Sequence, residues 1–432
     1  MTARPSWSWS PRILTALLLL AGCSSEDKDE QSFPEPPGEL VASDLQRARS
    51  PNVAAEDLAA VVAGNTDFGA ALYRLSTRPG ENLFFSPYSI TQAFGMTYAG
   101  ARGNTEAQMA QALRFVSQDR FHPALNALDL KLHDRAEHPN QPGSPPTLRV
   151  VNALWGQKGR TFEPAFLDTL AVNYGAGMRV VDFSTESESI RSRINGWVKD
   201  LTEGRIQGLL PEGSVTPDTS LVMANALYFK GAWAVPFTEG GTRSAPFYRL
   251  DGSQQQVQMM GGADGLLSYG KGDGYEALAL AYSGQSFRML LVIPDSGRFT
   301  EVESRLSASF LSEVRSKLER DRFYLRMPKF RVETRLSLVE PLKALGLVDA
   351  FTGASDMSGM TKEEALAIQS AEHKAFVAVD EKGTEAAAAT AIGMVPVSMP
   401  PELVVDRPFL FLIEDVDTQA VLFMGRIVNP SP

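Results

Sequence analysis

Apolar residues recur at helical spacing early in the chain. Residues 56–73 carry them at the three- and four-residue intervals of an amphipathic helix. Residues 90–98 predict a second helix, with Ser86 as its N-cap and Pro87 in the first turn, where proline is tolerated. Shorter helices are predicted over residues 104–113 and 195–201.

Strand patterns dominate the later part of the chain. Near-continuous apolar runs of strand length occupy residues 148–155, 221–229 and 288–293, and alternating runs occupy 323–332 and 375–379. Two final runs, 408–414 and 420–428, flank a polar segment and predict a hairpin. Early helices followed by many long strands predict an α+β domain with large, mostly antiparallel sheets.

The first 22 residues have the pattern of an export signal. Arg4 and Arg12 precede the apolar run 13–20, which is too short to span a bilayer as a mature helix. The run ends in Leu20-Ala-Gly-Cys23, which is similar to a bacterial lipobox, so we expect cleavage before Cys23 and lipidation of its thiol. The alternative is a plain secretory signal with an incidental cysteine.

A lipidated Cys23 would anchor the exported protein to the bacterial envelope, at the outer membrane or cell surface; without the anchor it would be extracellular. Cys23 is the only cysteine, so no intrachain disulfide is possible. Residues 23–55 are acidic and proline-rich, which predicts a disordered tether. The globular domain is expected to span residues 56–432.

Composition, charge and the absence of catalytic motifs argue against several classes of function. The 432 residues are 44% hydrophobic, as in ordinary globular proteins, and the net charge is −10. Since no basic run is present, nucleic acid is not the expected partner. The sequence has no His-Glu-x-x-His pair, no Gly-x-Ser-x-Gly elbow and no phosphate-binding loop. These absences argue against an enzyme, and no cofactor or metal is implied.

The segment Glu381–Ala391 has a contradictory composition. Four consecutive alanines favour a helix, but glycines and prolines before and after them prevent a long one. Small side chains allow a backbone to enter a crowded place, so this segment is predicted to fit between other strands.

Seven segments of the chain occur in an order and at a spacing that are typical of one family. They are Asn82-Leu-Phe-Phe-Ser-Pro-Tyr-Ser-Ile90, residues 195–206, residues 223–233, Met327-Pro-Lys-Phe330, His373-Lys-Ala375, residues 381–391, and residues 406–411 with 423–427. On these segments the chain resembles the serpins from about Asp57 onward. The loop region is similar to that of antitrypsin. The resemblance implies an α+β fold of three β-sheets and eight or nine helices, with an exposed reactive loop.

The resemblance also implies a suicide-substrate mechanism. A serine protease cleaves the loop and forms an acyl-enzyme, and the cut loop then inserts as a strand into the central sheet and traps the enzyme. Counting along the family's loop places the cleaved bond at Val397–Ser398. A small branched residue such as Val397 suits an elastase-like or subtilisin-like protease, and we expect the inhibitor to be a monomer.

In an extended strand, alternate residues of the hinge lie on opposite faces. Thr384, Ala386, Ala388 and Thr390 share one face of an extended strand. If that face turns inward, only short side chains are buried and Glu385 stays in water. Gly383 supplies the conformational freedom that a hinge requires.

The resemblance implies further control residues. Those expected to govern opening of the central sheet are Ser86, Ser89, Asn225, His373, Trp233 and the Lys329–Glu381 ion pair. Taken singly, His373 would be a satisfied core histidine and Trp233 a plain core residue. A non-inhibitory serpin that acts as a binding module is the alternative function.

Overall fold

Nine α-helices are present in the computed structural model, which describes residues 34–363, 366–385 and 400–430. They are α1 (Ala55–Ser76), α2 (Pro87–Tyr98), α3 (Gly103–Leu113), α4 (Gln118–Glu137), α5 (Pro164–Tyr174), α6 (Phe183–Leu201), α7 (Phe299–Ser304), α8 (Ala308–Ser316) and α9 (Val339–Ala344). None of these helices is long and apolar enough to cross a membrane.

Within the described residues, the first sheet has seven strands. In spatial order they are β1 (Glu39–Val41), β4 (Met178–Val181), β3 (Thr147–Gln157), β5 (Leu221–Ala232), β13 (Gly383–Thr384), β12 (Ser370–Val379) and β11 (Phe330–Ser337). We call it the large sheet. Strands β5 and β12 also pair directly with each other.

The second sheet has nine strands in the part of the chain that the structure describes. They are β14 (Glu402–Val404), β10 (Glu319–Pro328), β7 (Gln254–Gly272), β8 (Tyr275–Ala281), β9 (Phe287–Pro294), β15 (Phe409–Asp415), β16 (Val421–Ile427) and β2 (Leu83–Phe85), with β6 (Arg243–Tyr248) paired to β7. Two of the three expected sheets are joined into one because the 19-residue strand β7 belongs to both. The predicted α+β class is confirmed.

Within the described residues, periodicity located about half of the strands and about half of the helices. The predicted hairpin is confirmed as β15 and β16, which pair from Phe409↔Ile427 to Glu414↔Val421. The run 323–332 divides at Lys329 into β10 and β11. Helices α4, α5, α7, α8 and α9 were not predicted; polar residues interrupt the apolar positions of α4, and α7 and α9 have only six residues each. Helix α6 begins twelve residues before its predicted start, at Phe183.

The prediction of a disordered tether is wrong for its second half. Residues from Glu35 onward belong to the same compact unit as the rest of the domain. Strand β1 pairs antiparallel with β4, with Leu40 opposite Arg179. Polar, proline-rich composition suits an edge strand as well as a coil, and the pairing partner lies about 140 residues away in sequence. Cys23 and the signal segment lie outside the described residues.

Candidate functional site

The boundary between β5 and β12, here called the seam, is closed at one end and parted at the other. At the closed end Ser370–Lys374 pairs in parallel with Val222–Ala226. At the parted end β13 lies between the two strands, with Gly383 opposite Ala232 and Thr384 opposite both Gly231 and Val379. A short piece of chain therefore already occupies the position of an additional strand.

The two residues of β13 are suited to this narrow position. Gly383 has φ +155°, a backbone conformation that residues with a side chain rarely adopt. Thr384 is only 1% exposed, and its hydroxyl shares a hydrogen bond of 2.7 Å with the hydroxyl of Tyr282. A small side chain with one polar atom is thus buried with that atom satisfied.

An aromatic pair fixes the chain where it enters the sheet. Trp233 stacks on Tyr282, with ring centroids 4.7 Å apart and planes 14° from parallel. The Trp233 indole N–H donates to the carbonyl of Asp380 at 3.0 Å, and its backbone N–H donates to the carbonyl of Lys382 at 2.9 Å. Trp233 therefore holds the backbone of the hinge on both sides of Glu381.

The expected ion pair between Lys329 and Glu381 is present where the hinge enters the large sheet. The Lys329 ammonium lies 2.6 Å from the carboxylate of Glu381, which also accepts a hydrogen bond from the Thr242 hydroxyl. Burial alone would raise the pKa of Glu381, but these two hydrogen bonds outweigh it and the pKa is lowered. Glu381 is consequently ionised at neutral pH. It connects the hinge to Lys329, which lies between β10 and β11, and to Thr242, which directly precedes β6.

The prediction that Glu385 stays in water is wrong for the docked hinge. Its side chain is 3% exposed and lies 3.1 Å from the guanidinium of Arg205. Strand alternation ends at Thr384, because the backbone turns at Glu385 with a left-handed φ of +54°. Burial raises the pKa of Glu385, and the charge of Arg205 only partly opposes that effect.

A buried polar cluster crosses the closed end of the seam. His373 Nε2 accepts a hydrogen bond from the backbone N–H of Ser86 at 3.0 Å, so Nδ1 carries the proton and donates to Asn225 Oδ1 at 2.6 Å. The Ser89 hydroxyl donates to the same oxygen at 3.0 Å. The Ser86 hydroxyl caps α2 by accepting from the N–H of Ser89. The cluster joins β12, β5 and α2.

Two members of this site were missed at the level of sequence. Asn152 on β3 accepts a hydrogen bond of 2.5 Å from the side chain of Asn225 and extends the cluster to a third strand. Its signal was a single amide inside the apolar run 148–155. Tyr282, which contacts both Trp233 and Thr384, gave no distinct signal because a buried tyrosine near a strand end is ordinary.

Protonation of His373 is expected to destabilise the protein. Complete burial lowers the pKa of His373 to about 3, against an ordinary value of 6.5. Because the unfolded chain binds the proton more readily, stability falls as the pH drops below 6.5. At pH 5 the loss is up to about 2 kcal/mol, or 1.5 units at about 1.4 kcal/mol each.

Thermal melting at pH 7 and pH 5 measures this loss. The variant His373→Gln, which does not titrate, should lose less stability over that range than the unchanged protein. His138→Gln is the matched control, since the His138 side chain is 75% exposed. An identical pH dependence in all three proteins would contradict the assignment.

The remaining predicted residues lie outside the described part of the chain. They are Ala386, Ala388, Thr390, Val397 and Ser398. In the described residues no group of three or more histidines, cysteines and carboxylates is arranged to hold a metal ion.

Comparisons with known proteins agree on one family. The family model described as serpin (serine protease inhibitor) matches residues 63–430. The chain is 37% identical over 380 residues to the leukocyte elastase inhibitor of Sus scrofa, covering 85% of this chain and 99% of the relative. It is 35% identical to antithrombin-III of Mus musculus, covering 82% and 78%. The structure of human thyroxine-binding globulin superposes with a TM-score of 0.77 at 29% identity, covering 87% of this chain and all of that one. The chain therefore belongs to the serpin family.

Proposed function

We propose that this serpin inhibits a serine protease by inserting its cleaved loop into the large sheet. The observation that carries the proposal is the docking of Gly383 and Thr384 between β5 and β12. After Glu385 come five alanines and one threonine, residues 386–391, so the residues that would enter the sheet after Glu385 have small side chains. Extension of β13 would proceed along the seam and separate Ser370–Lys374 from its partner strand.

The energy for insertion comes from the starting sheet. About ten inserted residues gain roughly 10 kcal/mol at about 1 kcal/mol per hydrogen bond. Ordering the same residues costs about 1–2 kcal/mol each, which is comparable or larger. Hydrogen bonding alone does not drive the reaction. The uncut sheet must therefore be less stable than the sheet with the added strand.

The loop sequence and the relatives support an elastase-like target. Val397 at the expected cleavage position is small and uncharged, and suits a shallow apolar specificity pocket. The Sus scrofa relative is named as an inhibitor of an elastase. A trypsin-like enzyme, whose pocket requires arginine or lysine, would not accept Val397.

Incubation with a panel of elastase-like and subtilisin-like proteases tests the proposal. We expect a complex that survives denaturing electrophoresis and a new N-terminus at Ser398. The variant Val397→Arg should transfer complex formation to a trypsin-like protease. A cut at another bond would remove the assignment of Val397, and cleavage by every enzyme without any complex would contradict inhibition.

The second candidate is a binding module without inhibitory activity. The fold similarity to thyroxine-binding globulin, whose name states that it binds a small molecule, favours it. A binding module does not need a seam that opens. The complex-formation experiment separates the two candidates, since a binding module would be cleaved and would trap no protease.

A further inference from the structure

The segment of residues 35–49, here called the strap, connects the edge of the large sheet to two helices. Its first part pairs β1 with β4, and Gly38 fits against Val181 with φ +105°. The indole N–H of the buried Trp155 on β3 donates to the carbonyl of Pro37 at 2.7 Å. This part of the strap therefore moves with β3 and β4.

The second part of the strap is fixed to α4 and α5. Arg47 Nε donates to Asn126 Oδ1 at 2.9 Å, and Arg47 Nη2 donates to Asp129 at 2.5 Å. The Asn126 amide donates in return to the carbonyl of Ala48 at 2.8 Å. On α5, Asp168 accepts from the Ser43 hydroxyl at 2.6 Å. Both helices thus hold the strap through side chains and backbone.

The surface beneath the strap is shaped to receive it. A Cβ atom on Gly177 would lie 2.7 Å from the carbonyl of Val41, and one on Gly175 would lie 3.0 Å from the side chain of Arg47. Asp129 is only 7% exposed, and Arg47 is the positively charged side chain that lies beside its carboxylate. A buried charge is costly when its partner is removed.

Helix α4 is linked to the opposite side of the seam. Asp129 accepts hydrogen bonds from Tyr88 at 2.7 Å and Gln92 at 3.0 Å, both on α2. The N-cap of α2, Ser86, donates its backbone N–H to His373 on β12. The strap therefore joins β4, on one side of the seam, to α4 and through it to α2, which is bonded to both sides of the seam: to β12 through Ser86 and to β5 through Ser89.

Adding a strand between β5 and β12 widens the sheet by about 4.8 Å. The two hydrogen bonds of Arg47, 2.9 and 2.5 Å long, are lost when their atoms separate by about 1 Å. We propose that the strap restrains the large sheet against opening, so that its release from α4 and α5 makes the seam open more readily. The part of this proposal that concerns loop insertion rests on the proposed function.

Hydrogen–deuterium exchange of the intact, full-length protein tests the strap without any protease. In the variant Arg47→Ala, amides of Val222–Ala226 and Ser370–Lys374 should exchange about tenfold faster or more, because charge-assisted hydrogen bonds are lost. Arg49→Ala, at an exposed position two residues further on, is the matched control and should leave exchange unchanged. Gly177→Ala, which places a methyl group against Val41, should act like Arg47→Ala.

A synthetic peptide of residues 35–49 supplied to the Arg47→Ala protein should slow exchange at the seam again. Unchanged exchange in both Arg47→Ala and Gly177→Ala would overturn the proposal, as would an equal increase in Arg49→Ala. If Arg47→Ala does not fold, Gly177→Ala decides alone. Failure of the inhibitory function is recognised separately, by the absence of a trapped protease in the unchanged protein.

Discussion

Replacing Thr384 with arginine should convert the inhibitor into a substrate of the same protease. Thr384 is 1% exposed between β5 and β12, and its hydroxyl bonds to Tyr282 at 2.7 Å. An arginine there would place a guanidinium in a space that now holds a methyl and a hydroxyl group, at a cost of several kcal/mol. Since about 1.4 kcal/mol slows a step tenfold, insertion should be slower than hydrolysis of the acyl-enzyme.

The measurement is the ratio of covalent complex to cleaved protein after reaction with a protease that the unchanged serpin traps. We expect the ratio of covalent complex to cleaved protein to fall by more than about tenfold. Thr384→Ser keeps the hydroxyl and should preserve the complex. Lys382→Arg, at a partly exposed position of the same hinge, controls for added guanidinium. Undiminished complex in Thr384→Arg would refute the role given to β13.

Cutting the loop at Val397 should raise the melting temperature strongly. The cut frees the residues after Thr384 to extend β13 along the seam, where Ser370–Lys374 now pairs with β5. In domains of 150–250 residues each kcal/mol shifts melting by about 2–4 °C, and in larger ones by less. A rise above about 10 °C therefore corresponds to at least several kcal/mol.

Scanning calorimetry before and after limited proteolysis gives this value. The same cut in Thr384→Arg is the matched control, and its rise should be smaller. A cut form that melts at the temperature of the intact protein would show that the sheet does not accept the loop. That result would favour the binding module over the inhibitor.

The docked hinge and the polar cluster act at opposite ends of one seam. Thr384 and Tyr282 hold the parted end, whereas His373 and Asn225 bridge the closed end. When the seam opens at His373, the hydrogen bonds that its two ring nitrogens make to Ser86 and Asn225 must break. The cluster therefore opposes opening, and each of its hydrogen bonds contributes about 1 kcal/mol when satisfied.

Local sequence patterns determined the positions of many strands, the hinge segment and one helix cap. Strand-length apolar runs located β3, β5, β9 and the hairpin of β15 and β16, because a buried strand needs little besides continuous apolar residues, and alternation located part of β12. Small residues around the hinge indicated a segment that enters a sheet. Ser86 was recognisable as a helix cap from Pro87 and the apolar residues that follow.

Tertiary structure alone decided the contacts between distant residues. A carboxylate such as Glu385 carries no local sign of whether it will be buried, since that depends on a turn of the backbone and on Arg205, 180 residues earlier. The strap was taken for a tether because its composition is that of a solvated coil. Its partners Asn126, Asp129 and β4 come next to the strap only when the sheet and the helices have assembled. No local sequence pattern can therefore predict these contacts.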